Sequence, residues 1–117
     1  MPVTALDIHA RSLVLDGRPF GAAGAYEKIA GTLRFAVDPT HPQHAVITDL
    51  ALAPREPDGR VAFQSDFYLL RPVDPARGNR RLLLDVPNRG RKVALGMFNS
   101  AVRVPDPTAA RTSATAF

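Results

Sequence analysis

The sequence predicts a mainly β chain whose N-terminal antiparallel strands lead into one central strand and a short helix. Three observations predict it. Short apolar runs alternate with polar residues between recurrent turn signals. Eleven prolines and eight glycines in 117 residues favour short strands and loops over long helices. The run Leu82-Leu83-Leu84 with Val86 is too continuously apolar for a half-exposed strand, which predicts burial on both faces.

Residues 3–9 alternate loosely and read as the first strand. Asp16-Gly17-Arg18-Pro19 is a turn signal, and Phe20 to Gly24 is small and glycine-rich. Tyr26 to Val37 reads as the next strand, with Leu33, Phe35 and Val37 alternating with Arg34 and Ala36. Asp38-Pro39-Thr40-His41-Pro42 is a loop, because proline neither continues a ladder nor donates to one. Val46 to Ala53 reads as a strand, and Pro57-Asp58-Gly59 as the turn that pairs it with Val61 to Leu70. On that last run Val61, Phe63, Ser65, Phe67 and Leu69 share a face, with Gln64 and Asp66 opposite. Pro72 to Asn79 is a second turn region. Arg81 to Val86 is the central strand, and Val93 to Val102 the short helix. Pro105 and Pro107 end regular structure.

Composition excludes several classes. A hydrophobic fraction of 45% belongs to a globular chain. The length allows one small domain. Cysteine is absent from the sequence, which excludes disulfides and thiolate metal sites. No apolar stretch approaches the roughly 20 residues of a membrane span. Asp7, His9, Arg11 and Asp16 interrupt the first seventeen residues, so they lack the apolar core of a signal peptide, and the expected location is the cytoplasm. The net charge of +4 rests on thirteen arginines and two lysines, Lys28 and Lys92. They are scattered among nine aspartates, which gives no continuous phosphate track, so no nucleic-acid partner is expected. GC-rich coding DNA accounts for the arginine bias.

Candidate chemistry is sparse. A serine triad fails on inventory. Ser12, Ser65, Ser100 and Ser113 lie outside any Gly-x-Ser-x-Gly elbow, and His9, His41 and His44 all precede Ser65. Asp38, His41 and His44 have ligand-like spacing in a proline-rich loop, but a zinc site needs three or four supported ligands, so no metal is expected. Gly21-Ala22-Ala23-Gly24 lacks the residues of a P-loop and the spacing of a dinucleotide fingerprint, so no cofactor is expected. Asp49 and Asp66 stand on the two expected hairpin strands, as an acid pair or as separate surface groups. The remaining candidate is Asn88-Arg89-Gly90. A polar loop with a glycine at the end of a buried strand presents backbone N–H groups to an anion.

Several short motifs follow one another along the chain: Phe20-Gly21, Gly24-Ala25-Tyr26-Glu27, Gly31, Val37-Asp38-Pro39, Ile47-Thr48-Asp49-Leu50, Ala53-Pro54, Gly59 with Val61 and Phe63, and Val86 with Asn88-Arg89-Gly90. Taken in order, they resemble the start of the large bacterial "alpha/beta hydrolase domain" proteins. The resemblance runs over residues 13–110. It implies an α/β-hydrolase parent fold, esterase-like hydrolysis of a small-molecule ester by the full-length parent, and chains several times longer than this one. It also implies that the backbone at Asn88, Arg89 and Gly90 lines the oxyanion hole, with nucleophile, acid and histidine further on. By this reading residues 1–110 are the N-terminal β portion of a hydrolase domain and hold no catalytic side chain. An exposed strand edge is expected to favour self-association. The alternative is a small β-rich binding module that accepts a partner strand.

Residues 111–117 depart from the family, whose corresponding segment resembles Asp-Phe-Gly-Asn-Gly-Phe-Leu-Met. That segment can be encoded GAC TTC GGC AAC GGC TTT CTG ATG. Read in a shifted frame it becomes CGG ACT TCG GCA ACG GCT TTC TGA, which spells Arg-Thr-Ser-Ala-Thr-Ala-Phe and a stop, as in residues 111–117. A frameshifted, truncated hydrolase gene is the expectation, and an authentic short tail the alternative.

Overall fold

The computed structural model describes residues 2–87, 89 and 91–98. Three strands, β1 (Val3–Leu13), β2 (Tyr26–Val37) and β3 (Val61–Pro72), form one sheet in the order β1-β2-β3. One short helix, α1 (Ala94–Phe98), comes after them. The expectation of a mainly β chain with one short helix therefore holds.

The register is set by cross-strand contacts. Val73 N–H donates to the Ala25 carbonyl, Arg71 pairs with Glu27, Thr32 with Asp66, and Phe35 stacks on Phe63. Each step forward on β2 is matched by an equal step back on β3, so the pair is antiparallel. The contacts of Glu27 with Arg11 and of Ala36 with Pro2 give β1 the same sense against β2. On β2 the alternate residues Glu27, Ile29, Gly31 and Val37 are buried, as a period of two requires.

Two compact units divide the chain. One comprises Met1–Ala10 and Ala30–Tyr68, the other Arg11–Ile29 and Leu69–Phe117. In the first, Val37 and Val61 are buried, and Phe35 and Phe63 stack with centroids 4.8 Å apart. Gly31 is required here. A Cβ would run into the Asp7 carbonyl oxygen and lie 2.8 Å from the Phe67 ring. In the second unit the buried apolar residues are Val14, Phe20 and Ile29, and the Phe20 and Tyr26 rings meet edge to face. Gly24, at φ 75°, lies against the Arg77 guanidinium.

Two expected strands are not formed. Residues 46–53 make a succession of 3-10 turns in place of a strand. Ile47 N–H donates to His44, Leu52 to Asp49 and Ala53 to Leu50. These local bonds satisfy the backbone, and Asp49 at φ 59° breaks any extended run. β3 consequently pairs with β2, and the hairpin expected across Asp58-Gly59 does not form. Residues 81–87 carry no strand, and Leu82, Leu83, Leu84 and Val86 are exposed. Continuous apolarity signals a demand for burial on both faces, and nothing among the described residues meets it. The expected helix is present as Ala94–Phe98. Residues 99–102 and the tail 111–117 lie outside the described residues.

Candidate functional site

The loop after the leucine run is the site the sequence singles out. Pro87 biases Val86 toward extended backbone. Arg89 is exposed in a turn at φ 54°, a left-handed conformation uncommon outside glycine. Asn88 and Gly90 lie outside the described residues. Asp85 organises the start of α1. Its Oδ2 accepts from the N–H groups of Val93 and Ala94, both at 3.1 Å. Two backbone donors there are thereby satisfied, and the segment before the loop is tied to the helix after it. No spacing rule in the sequence points to Asp85 for this role.

The loop of Asp38, His41 and His44 is held by its own backbone. Asp38 accepts from both the N–H and the hydroxyl of Thr40, at 2.8 and 2.7 Å. The hydroxyl bond is the main influence that holds the Asp38 carboxyl below its ordinary range, and the backbone bond adds to it. His41 Nδ1 accepts from Gln43 N–H, which leaves the proton on Nε2. His44 Nδ1 lies 2.7 Å from the Asp38 carbonyl and must donate to it. The two rings are 5.2 Å apart, and both Nδ1 atoms serve the loop itself. Among the described residues no group of three or more His, Cys, Asp or Glu could hold a metal ion.

Asp49 and Asp66 are not brought together as a hairpin pair. Asp49 opens the 3-10 turn Leu50–Leu52, whereas Asp66 on β3 accepts from the Thr32 hydroxyl at 3.2 Å. His9, Thr32 and Asp66 line one shallow hollow of about 280 Å³. There the Thr32 hydroxyl donates to the Asp66 carboxylate in an exposed contact between neighbouring strands. A larger open groove of about 700 Å³ runs past Phe35, Phe63, Arg34 and Arg60. Its arginines are already engaged, Arg34 with Asp7 and Arg60 with Asp58, both at 2.7 Å.

Sequence reasoning missed the one buried charge cluster among the described residues. Glu27 is 7% exposed and takes Arg11 on one oxygen, at 3.3 Å, and Arg71 on the other, at 2.7 Å. The three residues come from three strands, so no local pattern announces them. The signal available was a glutamate at an inward position of β2. The cluster neutralises a buried carboxylate and leaves no free acid or base. Among the described residues no helix is long and apolar enough to cross a membrane. Comparison with family models, curated proteins and solved structures found no match to this chain.

Proposed function

We propose that this chain is the N-terminal portion of an esterase-like α/β-hydrolase and is not catalytic by itself. The observation that carries the reading is the exposed leucine run leading through a left-handed turn at Arg89 into α1. A run so apolar has its place between other strands, with helices on both faces. A strand that ends in a tight loop before a helix supplies backbone donors to an oxyanion. The ordered motifs from Phe20 to Gly90 support the same family. The oxyanion role falls to the backbone at Asn88, Arg89 and Gly90, and a small-molecule ester would be the parent's substrate.

Two measurements test this. The pure 117-residue chain should hydrolyse p-nitrophenyl acetate no faster than buffer. Reading the source DNA beyond the codon for Pro105 in all three frames should reveal one that continues Gly-Phe-Leu-Met toward a Gly-x-Ser-x-Gly elbow. Turnover by the chain alone, or no such frame, overturns the proposal.

A further inference from the structure

The exposed run carries its own pairing instructions. Leu82, Leu83, Leu84 and Val86 are 81, 63, 77 and 81% exposed, four large apolar side chains in five residues. Among the described residues none gives the backbone of Leu82–Leu84 a hydrogen-bond partner. Arg81 precedes the run and Asp85 lies within it. We propose that residues 81–85 form a self-complementary strand that pairs antiparallel with the same residues of a second copy of this chain, about a two-fold axis at Leu83. This does not depend on the hydrolase reading.

The charges select the register. Centred on Leu83, antiparallel pairing sets Arg81 opposite the other copy's Asp85, twice by symmetry, with Leu82 opposite Leu84 and Leu83 opposite itself. A parallel in-register pair sets arginine against arginine and aspartate against aspartate, which is destabilising. A slip of one residue one way sets Asp85 opposite Leu82 and Arg81 opposite Val86, and a slip the other way sets Asp85 opposite Arg80, which lies at φ 59° and outside extended backbone. Backbone donors agree with the same register. Arg81 N–H is already given to Asn79 Oδ1 at 3.0 Å, so residue 81 belongs at a position that exchanges no ladder bonds. Antiparallel positions alternate, which makes Leu82 and Leu84 the bond-exchanging pair. Leu83 then sits at a non-hydrogen-bonded position, where opposed side chains come closest. Asp85 uses Oδ2 on the N–H groups of Val93 and Ala94, and its Oδ1 is the oxygen available to the guanidinium.

Sedimentation equilibrium of the full chain across about 10 µM to 1 mM should show a monomer–dimer equilibrium. Arg81→Glu and Asp85→Lys should each weaken it at least about tenfold, because two attractive pairs become repulsive. Mixing the two variants in equal amounts should restore a heterodimer, since each then supplies the charge the other lacks. The sequence holds no cysteine, so Leu83→Cys provides a single thiol facing its own copy. It should oxidise to a cross-linked dimer faster than Leu82→Cys or Leu84→Cys. A monomer at every concentration, open-ended aggregates, variants that dimerise like the parent, no restoration on mixing, or equal cross-linking at all three positions overturns the proposal.

Discussion

The two compact units solve the placement of charge in opposite ways. In the unit of Met1–Ala10 and Ala30–Tyr68, the pairs Arg34–Asp7 and Arg60–Asp58 lie on the surface, with side chains 45 to 58% exposed. Water screens such pairs, and each contributes little. In the unit of Arg11–Ile29 and Leu69–Phe117, Glu27 is buried and its two guanidiniums are the more exposed partners. There the carboxylate is the hostage and the arginines its solvent. The same side-chain chemistry is decorative in one unit and obligatory in the other, and burial of one atom group decides which.

The sharpest test removes both arginines. Arg11→Ala with Arg71→Ala strips a buried carboxylate of these two partners, and should cost about 3–5 kcal/mol in urea unfolding. Glu27→Gln should cost less, because it leaves half-exposed guanidiniums that water can solvate. An equal cost for the two would erase the distinction between the units. The other unit should be more sensitive to space. Gly31→Ala drives a methyl into the Asp7 carbonyl, with an expected loss of about 1–3 kcal/mol by the same measurement.

Smaller effects belong to loops. Asp85→Ala removes the acceptor for Val93 and Ala94, and should cost about 0.5–2 kcal/mol. Faster amide exchange confined to those two residues would report it. The smallest effect is a pH dependence at Asp38. Its folded-state carboxyl is held below the ordinary value, so its contribution is present above the unfolded pKa and fades as pH falls through the folded one. Thr40→Val should raise the Asp38 titration midpoint toward the ordinary carboxylate range, read from carboxyl chemical shifts.

Legibility in the sequence tracks the range of the interactions. Tyr26 to Val37 is legible with its bounds intact, because a period of two on a central strand is a local signal. Val61 to Leu70 is legible for the same reason, and β3 extends only to Pro72. Val46 to Ala53 has strand-like residues, but i to i+3 bonds and a left-handed Asp49 take its backbone elsewhere. For Arg81 to Val86 the apolar pattern announces a need for cover without naming what supplies it. At the candidate loop, Arg89 lies in the expected turn, while the capping by Asp85 depends on helix geometry that spacing alone does not encode. Glu27 with Arg11 and Arg71 requires the register of three strands before it can be seen.

The placement of β2 between its neighbours also sets an order of assembly. The connection over 14–25 joins β1 to β2, and the connection over 38–60 joins β2 to β3 and is about twice as long. Each doubling of a flexible loop adds about 0.6 kcal/mol to its closure entropy. The shorter closure is therefore favoured as the first event in refolding, with β3 arriving on a template already half built. Pulse-labelled amide exchange should show protection between β1 and β2 before protection on β3, and the reverse order would mean that local turns in 38–60 shorten the longer search.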